Sequence, residues 1–177
     1  MPLGRMVNWG CATFMPNDDK FVYILTGNDA TYPTFDIYRY DFDLDSYALI
    51  MKNSSVTNLE AASCVGYTDS MNHNNLISIG GTTGSTDTVN KYQVRVLNLT
   101  SNIWSYLPDI PVESMSAKLF VDGNYLYAIG GQFDQSKYSF KMEITGAEGW
   151  ILVHNITADT DTFRMKNFVI PYNLQEP

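Results

Sequence analysis

Three carboxylates alternate in Tyr40 Asp41 Phe42 Asp43 Leu44 Asp45, a spacing that puts all three on one side of an extended strand and suggests a calcium site. The rest of a calcium loop is missing. The sixth place has no glycine, and Lys52 stands where a bidentate Glu would close the site. The acids instead read as the start of a turn leading to Tyr47, as Asn98 to Asn102 does farther along. The two histidines, His73 and His154, have neither a second histidine nor a cysteine near them in sequence. The run Gly80 Gly81 Thr82 Thr83 Gly84 Ser85 resembles a phosphate loop but lacks the lysine that would reach a phosphate. Cys11 and Cys64 have no metal-ligand spacing, and no nucleophile sits in a recognisable motif. The expectation is therefore no catalytic residue, no metal site and no cofactor, and a chain that is not an enzyme.

Modification chemistry is the other possibility. Asn53, Asn98 and Asn155 each open an Asn-x-Ser/Thr sequon. About two such triplets are expected by chance in a chain of this composition, so their number alone carries nothing. Their positions add a little, since Asn53 follows Tyr47 by six residues and Asn155 follows Trp150 by five, where a strand should leave a sheet edge. This favours an extracellular or cell-surface location, with the cytoplasm as the alternative.

The elements that hold these residues must be strands. Nineteen acids against eleven Lys and Arg give a net charge of −8, the wrong sign for neutralising a phosphate backbone or an anionic membrane. Fourteen of the acids are Asp and five are Glu, a balance that suits turns rather than helices. Twelve Tyr, nine Phe and three Trp suit a pleated surface. No apolar stretch is long enough to cross a bilayer, so no membrane insertion is expected. The first twenty residues lack the basic flank and apolar run of a signal peptide, as a mature secreted chain also would.

The chain repeats itself. Asn75 to Gly81 matches Asn124 to Gly131, an apolar strand running into paired glycines, Gly80 Gly81 and Gly130 Gly131. A looser copy, Lys20 to Gly27, has Thr26 in place of the first glycine. The second glycines, Gly27, Gly81 and Gly131, are 54 and 50 residues apart, and an aromatic follows each by 20, 23 or 19 residues: Tyr47, Trp104 and Trp150. Alternating apolar stretches precede each aromatic, and one more strand precedes each glycine pair, at Cys11 to Met15, Ala61 to Tyr67 and Ser116 to Val121. Each unit thus holds four short strands. The approximate units are 6–57, 58–111 and 112–162, with 163–177 the start of a further unit or a tail.

In this pattern the chain resembles the kelch-repeat family of β-propellers. The resemblance rests on Leu126 Tyr127 Ala128 Ile129 Gly130 Gly131, on Trp104 with the proline-rich turn Pro108 Asp109 Ile110 Pro111, and on Arg5. It implies an all-β segment of four-stranded antiparallel blades, with Tyr47, Trp104 and Trp150 filling the space between blades. Three units plus flanking strands are too few for a closed ring, which takes about four to eight blades. Cys11 and Cys64 fall on the equivalent strand of successive units, 16 and 17 residues before Gly27 and Gly81. Equivalent strands of neighbouring blades diverge from the axis, so the two are expected to be buried free thiols.

A rigid blade scaffold without catalytic groups is expected to work by surface recognition, as a protein-interaction or structural assembly module. Its candidate loops follow the glycine pairs, with Tyr32 and Phe133 as aromatic anchors. The expected partner is protein, either other copies or the rest of a longer propeller, because an open stack exposes the face of its terminal blade. The alternative is a piece of a secreted propeller enzyme, galactose oxidase-like or carbohydrate-active.

Overall fold

The computed structural model describes residues 10–27, 35–53, 61–82, 90–131 and 137–155. Twelve strands run in sequence order: β1 (Cys11–Met15), β2 (Asp18–Leu25), β3 (Phe35–Asp41), β4 (Ser46–Asn53), β5 (Ser63–Thr68), β6 (Asn74–Ile79), β7 (Val94–Asn98), β8 (Ile103–Leu107), β9 (Lys118–Asp122), β10 (Tyr125–Ile129), β11 (Tyr138–Glu143) and β12 (Ile151–Asn155). They form three four-stranded antiparallel sheets, β1–β4, β5–β8 and β9–β12, each a meander in chain order. No α-helix occurs among the described residues. These are three successive blades of a propeller-like stack, and they do not close into a ring.

Contacts between blades run through the first strands, β1 against β5 and β5 against β9, so these three gather at a common axis. Each blade therefore has a leading face, toward the blade before it, and a trailing face, toward the blade after it. The period of two in a strand sorts residues between these faces. In blade 2, Leu76 and Leu97 point one way, into a core shared with Met15, Tyr23, Leu25 and Ile37 of blade 1. Their neighbours Ile77, Ile79, Val94 and Val96 point the other way, into a second core with Leu126, Ala128, Phe140 and Met142 of blade 3. Being covered on both sides, β6 and β7 read as nearly continuous apolar runs.

The glycine pairs end the second strands. Gly80 and Gly81 have φ of 67° and 91°, and Gly130 and Gly131 have 61° and 140°, which a side chain would resist. At Gly80 the need is also spatial, since a Cβ would lie 1.7 Å from the Ser114 carbonyl oxygen. The first position of each pair continues the ladder: Thr26, Gly80 and Gly130 donate their N–H to Asp36, Gln93 and Tyr138. Thr26 keeps this bond and adds its hydroxyl, which donates to the Asp36 carbonyl at 3.1 Å and accepts from the Asp36 N–H at 3.0 Å. That is why blade 1 holds the same corner without the first glycine.

The expectation of free thiols is corrected. Cys11 and Cys64 are joined by a disulfide, with Cα atoms 5.8 Å apart. Their strands lie next to the axis, where neighbouring blades converge. Gly66 allows the approach: a Cβ there would meet the Phe14 carbonyl oxygen at 2.4 Å. Its N–H donates to Thr13 Oγ1 at 2.9 Å, across the same blade boundary.

Candidate functional site

The expected binding loops follow the glycine pairs. Tyr32 and Phe133 lie outside the described residues, as do most of those loops. What anchors the middle loop is visible. Arg95 on β7 is 1% exposed and donates to the Gly80 carbonyl, Asn90 Oδ1 and Gln93 Oε1 at 3.2, 2.7 and 2.7 Å. Its guanidinium ties the end of β6 to the segment leading into β7. The sequence signal was a single charge inside the apolar run Val94 Arg95 Val96 Leu97.

The three alternating aspartates at the other end of blade 1 are each engaged locally. Asp41 Oδ1 accepts from the N–H groups of Asp43 and Leu44 and so caps the β3–β4 turn. Asp43 pairs with Lys20 at 2.9 Å, a hydrogen bond that raises the lysine's affinity for its proton. Asp45 accepts from the Tyr40 hydroxyl, which pushes that phenol above its ordinary pKa. Asn98 plays the part of Asp41 in blade 2, accepting from the N–H groups of Thr100 and Ser101. Asp45 and Asn102 hold the same left-handed corner, at φ of 45° and 58°. Among the described residues no three of His, Cys, Asp or Glu gather as a metal-binding group.

His73 sits in the β5–β6 turn, its Nδ1 3.3 Å from Asp69 Oδ2. His154 lies on β12 opposite Ser139, at the far end of blade 3, so the structure does not bring the two histidines together. Of the sequons, Asn53 and Asn155 take equivalent places as the last residues of β4 and β12, each the outermost strand of its blade. Asn98 is instead a turn residue at the opposite end.

Along the axis, β1, β5 and β9 line a groove of about 960 Å³. Its walls are mostly small side chains, including Ala12, Ala62, Ser63 and Ala117, with the disulfide between them and Lys118 at one side.

The largest feature is an end face. On the leading face of blade 1, Phe14 stacks on Phe42 with centroids 6.1 Å apart, Phe42 meets Tyr40 edge-on at 5.0 Å, and Tyr40 packs on Tyr47 at 4.7 Å. Phe14, Phe42, Tyr47 and Leu49 remain 53, 50, 47 and 50% exposed. The repeat explains this. Trp104 packs on the core between blades 1 and 2, and Trp150 packs between blades 2 and 3, donating its indole N–H to the Pro108 carbonyl at 2.9 Å. Tyr47 occupies the same position in blade 1, but no described blade precedes it. Its expected packing between blades is therefore absent, and the ring lies open. The trailing face of blade 3 is the other end of the described stack, with Phe120 stacked on Tyr127 at 4.6 Å and Lys141 over the Tyr125 ring at 4.9 Å.

No family model matches the chain, and no curated protein does. Among solved structures it resembles that of YjhT, with a TM-score of 0.61 over 88% of this chain at 16% identity. The likeness is one of fold. The matched region covers 53% of the YjhT chain, so these three blades correspond to about half of that molecule.

Proposed function

We propose that the chain is a non-catalytic protein-interaction or structural assembly module built on kelch-type repeats. The observation that carries this reading is the bare aromatic face of blade 1. Four large apolar side chains, each about half exposed, are far more than the scattered apolar residues of an ordinary surface. Such a face lowers its free energy by meeting another apolar face. The native mass of the protein isolated from its source tests the reading. It should travel as an assembly larger than 20.0 kDa, whether with copies of itself, with further blades or with another polypeptide. A lone 20.0 kDa species at every concentration overturns it.

We further propose an extracellular or cell-surface setting. The supports are the disulfide, which persists in oxidising compartments, and two sequons at the ends of outermost strands. Native material should carry glycan on Asn53 or Asn155, as read by mass spectrometry before and after enzymatic deglycosylation. Both asparagines unmodified would move the assignment to the cytoplasm.

A further inference from the structure

We infer that the Cys11–Cys64 bond is a redox latch: a dithiol entering the axial groove opens it in the folded protein and so frees the boundary between blades 1 and 2, while the boundary between blades 2 and 3 stays shut. The latch acts inside the stack and is independent of what meets the bare face.

Register ties the link to one boundary. Cys11, Ser63 and Lys118 pair with Leu25, Ile79 and Ile129, the last residues of the three second strands, so these three are equivalent. Cys64 stands one position further on, equivalent to Ala12 and Leu119. One step along a strand changes its face. Cys11 therefore lies on the trailing face of blade 1 and Cys64 on the leading face of blade 2, and both pack on the core that those blades share. At the next boundary the same two places hold Ser63 and Leu119, which cannot cross-link. Main-chain bonds serve there instead. The Gly81 N–H donates to the Ser114 carbonyl at 3.0 Å and the Ser116 N–H to the Ala61 carbonyl at 2.8 Å, joining blade 2 to the segment that leads into blade 3.

The sulfurs can be reached without unfolding. Both cysteines are only partly buried, and they line the groove of about 960 Å³ among small side chains, Ala12, Ala62, Ser63 and Ala117. Lys118 lines the same groove, a cation that favours the thiolate form of an entering or departing sulfur. One thiolate of the dithiol attacks a cysteine sulfur, the S–S bond breaks, and the other cysteine leaves as a thiolate that takes up a proton. The second thiol of the reductant, once deprotonated, displaces the first cysteine from the mixed disulfide. Both electrons come from the dithiol, which ends as a disulfide, and Cys11 and Cys64 end as thiols.

Chain connectivity sets what the reduction changes. Every strand ladder lies within a blade, so each blade keeps its sheet when the link is cut. Motion that parts Cys11 from Cys64 no longer works against a closed loop between residues 53 apart, and the first boundary opens more often. Opening of the second boundary does not part the two cysteines, so its frequency stays the same.

Methionines report the two boundaries separately. Met15 is buried in the first core and Met142 in the second, whereas Met71 is exposed in a turn and serves as the control. Oxidation by hydrogen peroxide, read by peptide mass spectrometry, is compared between the unaltered chain and the Cys11→Ser/Cys64→Ser double variant, which stands in for the reduced state. Met15 should oxidise roughly tenfold faster or more in the variant, with Met142 and Met71 unchanged. Dithiothreitol followed by alkylation in native buffer should label both cysteines of the unaltered chain and leave its circular dichroism spectrum as it was. Equal acceleration at Met15 and Met142 overturns the latch, as does a double variant that loses its circular dichroism spectrum, since the link then holds the whole fold. Met15 oxidising no faster in the variant overturns it too, and so does a bond that yields to dithiothreitol only in denaturant.

Discussion

The leading faces of blades 1 and 2 are written in the same sequence pattern and end in different environments. Trp104 of blade 2 lies against blade 1, whereas Tyr47 at the same position lies open. The pattern specifies a face that expects a neighbour; it does not say whether the neighbour is present. Burial in a repeat protein is thus a property of position in the stack as much as of the residue. This also separates stability from association. Changes on the covered face should unfold the chain, while changes on the bare face should alter what the folded chain binds.

The largest expected effect is at the axial link that fastens the cover onto blade 2. Replacing Cys11 and Cys64 by Ser removes a cross-link between residues 53 apart, worth up to about 4 kcal/mol by loop-closure entropy. Denaturant midpoints of the double variant, and of the unaltered chain in reductant, should both fall by the equivalent of about 2–4 kcal/mol. Unchanged midpoints would mean that the apolar core alone holds the first boundary.

Next is the corner that closes blade 2. Gly80→Ala puts a Cβ against the Ser114 carbonyl at a left-handed backbone, and should cost about 2–3 kcal/mol in thermal stability. Thr26→Gly at the same corner of blade 1 should cost about 1 kcal/mol, the worth of its hydroxyl bonds to Asp36. Equal losses at the two sites would refute the view that blade 1 makes its corner by side-chain bonding.

A direct probe of covered against bare is the pair Trp104→Ala and Tyr47→Ala. Full burial of a Trp would put its removal at about 3–5 kcal/mol, and the half-buried Trp104 should lose about 2–3. Tyr47→Ala should change the melting of the monomer by less than about 1 kcal/mol and show itself in association instead. Comparable losses from both would mean that Tyr47 is already covered.

These sites also mark how much the sequence disclosed. Four strands per unit, the glycine corners and the turn role of Asp41 were legible because they depend on local period, turn chemistry and backbone freedom. The Cys11–Cys64 bond was not, because it depends on how closely first strands approach at the axis, an approach that Gly66 permits and that is visible only when two units are set side by side. Arg95 left a trace as a lone charge in an apolar run, but its partners Asn90 and Gln93 lie in a loop whose course no periodicity gives. The exposure of Tyr47 was hidden for the opposite reason, since the repeat made it look like Trp104.

The smallest expected effect compares the turn caps of the two blades. Asp69 in blade 2 accepts from the backbone N–H groups of His73 and Met71 and from the Asn75 side chain, as Asp41 in blade 1 accepts from two N–H groups. The bond from the His73 N–H, supported by those from Asn75 and Met71, holds the Asp69 carboxyl below its ordinary value of 3.8. A depressed carboxylate adds stability above its unfolded pKa and loses it as pH falls through the folded one. Asp69→Asn should therefore cost about 1 kcal/mol at pH 7, and the gap to the unaltered chain should shrink as pH drops below about 4. Urea midpoints measured from pH 7 to pH 2.5 read this directly. A gap that stays constant over the range would mean that the turn is held by its shape, with the carboxylate charge adding nothing.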